Sequence, residues 1–382
     1  LYGRENGLSQ VWVRDMDSGT LSTLSFDEAV YDVWSWLNWT FDTNKLRIEY
    51  TSFVTPITSY EVDLSSGERT MLKQEPVRGG HDPNAYISER LFATAPDGQQ
   101  VPISLVRHRD AGDSPRPMVL FAYCGYGYSW PIYFDANRLS LLDRGVTYAQ
   151  AHVRGGSELG REWYEDGNLL NKKNTFTDYI ACAEHLIQEE RTAVDRLVAN
   201  GLSAGGLLMG FIANERPELF TAIVAEVPWT DVVRTMLDPT IPLVTAEYDE
   251  WGDPRDEIYR EYMWSYSPYD NIQAQDYPAM LVTAGLEDDR VMFWDPTKWT
   301  AKLRAPKTDD HLLLLRMNMG AGHAGESGRY DYLREVAHDT AFILMVLGLT
   351  EASAKAELQR VPLGPKRAPY AGKRLDRPPS IP

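Results

Sequence analysis

From Met118 onward the chain alternates strand-length apolar runs with stretches of helical length, and this alternation most restricts how it can fold. MVLFAY (118–123), VTYAQAHV (146–153), RLVANG (196–201), TAIVAEVP (221–228), AMLVTAG (279–285) and LLLLRMN (312–318) are the apolar runs. Helical stretches fall between or after them, near 175–190, from Ala204, and near 329–347. Short apolar runs in this setting read as strands buried on both faces, and parallel strands joined by helical crossovers provide that burial. The predicted class is α/β, a mostly parallel sheet with helices on both faces. Thr175 and Asp178 have the spacing of a capping box at one helix start.

The first 75 residues have a different pattern. VWVRDMDSGTLSTLSF and YEVDLSSGERTMLKQ each run an alternating strand into a Ser-Gly turn and out again. Gly19 and Gly67 each follow an aspartate, Asp15 or Asp63, by the same offset, and the two turns lie about 50 residues apart, the period of a β-propeller blade. One or two blades are fewer than a propeller needs, and the opening at Leu1 is neither a signal peptide nor a natural start. The chain therefore reads as part of a longer protein. The expected organisation is a partial propeller over 1–75, an α/β domain over 76–360 and a Pro-rich basic tail over 361–382. The α/β domain is entered through a crossover near 76–95 and a hairpin turning at Pro96-Asp97-Gly98.

Gly201-Leu202-Ser203-Ala204-Gly205 stands between the strand RLVAN and the helical LLMGFIANE. Glycine, serine and glycine at this spacing arise by chance in roughly one chain in eight of this length, so the placement between strand and helix carries the signal. There the motif forms a sharp turn that lifts a serine hydroxyl above the sheet. Such a serine needs a base to take its proton and an acid to orient the base, in the order Ser, acid, His. Only His311, His323 and His338 follow Ser203. His323 lies in a Gly-rich loop just past LLLLRMN, where a strand-end base belongs. Asp288 lies just past AMLVTAG, with Glu287 and Asp289 as rivals. The fold class narrows to an α/β-hydrolase with Ser203, Asp288 and His323 as its triad.

The composition excludes other classes. A formal net charge of −17 argues against nucleic acid, since phosphate binding needs clustered Lys and Arg. No apolar run approaches a membrane span. Two cysteines, Cys124 and Cys182, make no disulfide framework or metal-ligand pattern and suit a cytoplasmic location, so the sequon at Asn38 is set aside. Gly155-Gly156-Ser157-Glu158-Leu159-Gly160 lacks the spacing of a dinucleotide fingerprint. No cofactor and no metal is expected.

GLSAGGLLMG, HVRGGSELGREWYEDG, KKNTFTDY, DDRV and GAGH…SGRYDYLRE together resemble the oligopeptidase B branch of the prolyl oligopeptidase family over roughly residues 85–347. The resemblance implies a serine peptidase that cuts short peptides after Arg or Lys, with its triad on Ser203, Asp288 and His323. It places the oxyanion donors on the Tyr123 hydroxyl and the Ala204 N–H, with Tyr126 as the rival tyrosine. It puts a substrate-holding arginine on Arg290 and the acids that recognise the basic side chain on Glu247 and Asp249. Asp249 stands where glutamate is usual. Pro131 and Tyr133 stand where two aspartates often recognise a second basic residue, and Cys124 replaces a glycine. The resemblance further implies that the rest of a seven-bladed propeller belongs to the full-length protein. Post-proline cleavage, an esterase and an inactive or open fragment are the competing readings.

Overall fold

The computed structural model describes residues 1–112, 114–328 and 330–350. Residues 2–74 form two antiparallel sheets, one of β1 (Tyr2–Glu5), β2 (Leu8–Arg14) and β3 (Leu21–Thr23), the other of β4 (Tyr31–Ser35), β5 (Lys45–Ser52), β6 (Thr58–Asp63) and β7 (Arg69–Gln74). The repeat read in the sequence is a shared turn. Asp15 Oδ1 accepts the N–H groups of Asp17 and Ser18, and Gly19 N–H closes on the Asp15 carbonyl. Asp63 does the same with Ser65, Ser66 and Gly67. Gly19 and Gly67 have φ of 71° and 75°, left-handed values that favour glycine. The two sheets share a core of Val11, Leu24, Tyr31, Val33, Ile48, Tyr50 and Val62.

The remaining strands are β8 (Tyr86–Thr94), β9 (Gln100–His108), β10 (Met118–Phe121), β11 (Thr147–Ala151), β12 (Leu197–Leu202), β13 (Ala222–Glu226), β14 (Ala279–Gly285) and β15 (Leu313–Asn318). They form one sheet in the order β15-β14-β13-β12-β10-β11-β9-β8. β10 to β15 are mutually parallel, and the β8–β9 hairpin joins antiparallel at the edge. The helices are α1 (Leu139–Leu142), α2 (Arg161–Glu165), α3 (Lys173–Gln188), α4 (Ala204–Glu215), α5 (Val232–Met236), α6 (Tyr248–Trp251), α7 (Glu257–Trp264), α8 (Trp294–Leu303) and α9 (Tyr332–Val346).

Alternate strand residues enter two cores. Leu197, Ala199, Ile223, Ala225, Met280 and Val282 pack with residues of α3, α4 and α8, while Val198, Ala222, Val224 and Leu281 pack with α1 and α9. A period of two that is apolar in both phases places the sheet between two helical layers, as expected of an α/β-hydrolase. Phe53 and Val54 pack against Tyr86, Val106, Ile132 and Leu142, and the Arg90 guanidinium donates to the Asn6 carbonyl, so the first two sheets are fastened to the third.

One local expectation fails. α3 begins at Lys173, so Thr175 lies inside the helix and forms no capping box with Asp178. Both are buried and hold Arg154 instead. Thr175 Oγ1 donates to the Arg154 carbonyl, and Asp178 accepts from the Arg154 guanidinium and backbone N–H. The tail over 361–382, and the end of the α/β segment before it, lie outside the described residues.

Candidate active site

Ser203 sits between β12 and α4 at φ 56°, a left-handed value rare for a side-chain-bearing residue. The turn is possible because its neighbours lack side chains. A Cβ on Gly201 would lie 2.5 Å from the Gly205 carbonyl oxygen, and one on Gly205 would lie 2.6 Å from the Ala122 carbonyl oxygen. Gly206, outside the motif read from the sequence, is equally constrained, its Cβ falling 2.4 Å from Pro228 Cα. Ser203 N–H donates to the Glu226 carbonyl, which ties the elbow to the end of β13.

Asp288 follows β14 and His323 follows β15. His323 Nε2 is 3.0 Å from Ser203 Oγ, and His323 Nδ1 is 2.8 Å from Asp288 Oδ2. A carboxylate only accepts, so Nδ1 carries the proton and bare Nε2 faces the serine. Asp288 is buried, and its Oδ1 accepts the N–H groups of Arg290 and Val291, which fixes the carboxylate plane. The rivals Glu287 and Asp289 are both exposed. His311 bonds to the Tyr277 carbonyl and is not part of this group.

A cavity of about 270 Å³ opens beside Ser203, lined by Tyr123, Trp229, Met236, Glu247 and Arg290 among others. The Tyr123 hydroxyl has no hydrogen-bond partner among the described residues. Burial, then nearby Cys124 and Glu247, pushes its pKa far above the usual tyrosine range, so it remains a donor. Tyr126 is committed elsewhere, its hydroxyl donating to Glu247 Oε2 at 2.8 Å. Ala204 is the first residue of α4, so its N–H has no acceptor within the helix. The Arg290 guanidinium borders the cavity without a carboxylate partner among the described residues.

The structure separates the two expected specificity acids. Glu247 lines the cavity, its Oε2 held by Tyr126 and by Trp251 Nε1 at 2.7 Å, while its Oε1 accepts no hydrogen bond among the described residues. Asp249 is exposed and lies outside the lining. The resemblance implies two acids acting together, but residues two apart point the same way only where the chain is extended. Glu247 and Asp249 lie instead at the helical start of α6, where residues two apart diverge.

Sequence reasoning missed the support beneath this loop. Lys172 is fully buried and donates to the carbonyls of Cys124 and Gly167, at 2.8 and 3.1 Å. Its ammonium lies 4.7 Å from the Trp251 ring centroid and 4.0 Å from Glu250, whose carboxylate accepts the Tyr126 N–H and the Tyr164 hydroxyl. KKNTFTDY contained that lysine, but nothing in its spacing marked a buried role.

Behind His323 lies a second cavity of about 180 Å³, lined by Glu226, Arg316, Asn318, Glu335 and Asp339 among others. Burial, and next the Glu226 carboxylate, push the Asp339 carboxyl up to about 7 against the pull of Arg316. A carboxyl whose pKa rises on folding favours the folded state below the unfolded value, and that contribution is lost as pH rises through about 7. Asp339→Asn is therefore expected to raise the thermal midpoint by a few degrees at pH 8 and by less at pH 5. Calorimetry at the two pH values checks this, and a larger gain at pH 5 would contradict it.

Among the described residues no cluster of His, Cys, Asp or Glu is placed to hold a metal ion, and no helix is long and apolar enough to cross a membrane. The model of the prolyl oligopeptidase family matches residues 132–350, more than half of the chain. The chain belongs to the prolyl oligopeptidase family. Residues 1–75 match the family's N-terminal beta-propeller domain. Protease 2 of Moraxella lacunata is 49% identical over 93% of this chain and 51% of its own length. Dipeptidyl aminopeptidase BI of Pseudoxanthomonas mexicana is 48% identical over 91% of this chain and 48% of its own. The chain thus spans about half the length of these curated relatives. Among solved structures, oligopeptidase B from Leishmania major superposes with a TM-score of 0.85 at 42% identity, covering 91% of this chain and 50% of that one. Oligopeptidase B from Trypanosoma brucei with covalently bound antipain gives 0.84 at 47% identity, with the same coverage.

Proposed function

We propose that this prolyl oligopeptidase family member is the catalytic part of a serine endopeptidase that hydrolyses short peptides on the carboxyl side of Arg or Lys. The hydrogen-bonded series Asp288–His323–Ser203, opening on a cavity that carries the Glu247 carboxylate, supports this reading above all. Ser203 Oγ attacks the scissile carbonyl carbon while its proton passes to His323 Nε2. The Tyr123 hydroxyl and the Ala204 N–H take the charge that develops on the carbonyl oxygen. His323 then gives its proton to the departing amine. Water, deprotonated by the same imidazole, frees the acyl group from Ser203. Arg290 holds a substrate carbonyl as the chain crosses the cavity mouth.

A guanidinium or ammonium loses hydration on entering this cavity, and Glu247 Oε1 offsets that loss. The apolar walls suit its methylene stem. Two buried free thiols, Cys124 and Cys182, fit a cytoplasmic setting. The propeller match, with a complete propeller in the full-length protein, is the reason for naming short peptides.

A panel of N-terminally blocked and unblocked fluorogenic peptides with Arg, Lys, Pro or Leu before the cut tests the reading. Blocked Arg and Lys peptides are expected to be cleaved fastest. A requirement for a free amino terminus would favour the dipeptidyl activity in the name of one relative, and preference for proline would overturn the basic specificity. Charged hydrogen bonds are worth about 1.5–3 kcal/mol, so Glu247→Gln is expected to lower kcat/KM for Arg peptides by roughly 10- to 150-fold. The effect on Leu peptides should be far smaller, and Asp249→Asn should change little. An equal fall for every peptide would make Glu247 a structural residue.

A further inference from the structure

The motif GAGH…SGRYDYLRE ends on Glu335, which the catalytic scheme leaves unused. Glu335 lies in the first turn of α9 and points back under the loop that carries His323. Its Oε1 accepts from Asn318 Nδ2 at 2.5 Å, and its Oε2 accepts the Glu326 N–H at 3.1 Å. Asn318 is the last residue of β15, and Glu326 lies three residues beyond the imidazole, so one carboxylate grips both ends of the His323 loop. Gly325, at φ 80°, permits the approach, because a Cβ there would lie 2.3 Å from Glu335 Oε2.

The grip continues toward the acid. The Asn318 carbonyl accepts the Leu286 N–H, and the Ala321 carbonyl accepts the Glu287 N–H, so the His323 loop is stitched to the turn holding Asp288. Gly285 permits this as well, since its Cβ would meet the Ala321 carbonyl oxygen at 2.5 Å. Arg316 Nη2, 3.8 Å from Glu335 Oε1, is the cation facing the carboxylate, with Glu226 of β13 and Asp339 of α9 across the same cavity. Glu335 touches neither Ser203 nor the cavity that holds Glu247.

We propose that Glu335 is a positioning residue for catalysis, holding His323 in register with Ser203 by bracing Asn318 and Glu326. A catalytic base displaced by about 1 Å loses roughly 100-fold in rate. Asn318 Nδ2 also donates to Glu326 Oε1 at 3.2 Å, but Glu335 is the side chain that holds Asn318 and the Glu326 backbone together from outside this Gly-rich loop. Glu335 is distinct from Asp288, which orients the imidazole directly. The proposal rests on the triad reading above.

The test measures steady-state kinetics of Glu335→Ala and Glu335→Gln on an Arg peptide in the full chain, with thermal midpoints recorded alongside. Glu335→Ala is expected to lower kcat about 100-fold and leave KM within about twofold, because the specificity cavity is untouched. Glu335→Gln keeps one acceptor and sets an amide against a donor, so kcat should fall about tenfold, between wild type and Ala. Should the alanine variant fail to fold, the glutamine variant still decides. Full kcat in Glu335→Gln, or a rise in KM at constant kcat, would overturn the proposal. Ser203→Ala run in parallel separates the failures: activity surviving there defeats the triad reading, whereas its loss beside unaffected Glu335 variants defeats the role of Glu335 alone.

Discussion

Ser203→Ala is expected to lower kcat roughly 10⁶-fold while KM for an Arg peptide stays within a few-fold. The cavity beside Ser203 does not depend on the hydroxyl, so binding survives the change. What disappears is the oxygen to which His323 Nε2 is hydrogen-bonded, at 3.0 Å. Without the acyl-enzyme, the residual rate comes from oxyanion stabilisation and binding alone. An organophosphonate probe should label Ser203 in the parent protein and no residue in the variant. Labelling at another serine, together with retained turnover, would discard the triad.

Tyr123→Phe is expected to cost about 10²- to 10³-fold in kcat with little change in KM, the usual loss for one oxyanion donor. The phenyl ring keeps the packing of Tyr123 against Trp130 and Tyr128, so the change isolates the hydroxyl. Tyr126→Phe provides the contrast. Its hydroxyl donates to Glu247, and removing it should weaken kcat/KM for Arg and Lys peptides while leaving Leu peptides nearly unaffected. If Tyr126→Phe depressed kcat for every peptide and Tyr123→Phe did not, the two tyrosines would exchange roles.

The sheet was legible because its strands are apolar in both phases, a pattern that few other environments tolerate. Ser203, Asp288 and His323 were legible as candidates because each follows one of those strands. Where sequence reasoning failed, the cause was local conformation or distant contact. Glu247 and Asp249 look like a pair on paper, and only the helical start of α6 turns the second outward. Thr175 and Asp178 have capping-box spacing, but Arg154, which has its own segment between β11 and α2, recruits both into the interior. Lys172 and Glu335 act on carbonyls and amides outside their own helices, and a charged residue's spacing carries no record of such partners.

The strand order also sets when the Ser203–His323 contact can form during synthesis. The nucleophile hangs on β12 in the middle of the sheet, whereas the base hangs on β15 at its edge, 120 residues later. β15 pairs in parallel with β14, a contact that forms only after α8 has crossed over the sheet. Chains emerge from the ribosome N-terminus first, and non-local parallel pairing is slow. A nascent chain therefore carries the Ser203 elbow well before the loop whose imidazole bonds to that hydroxyl has emerged and docked.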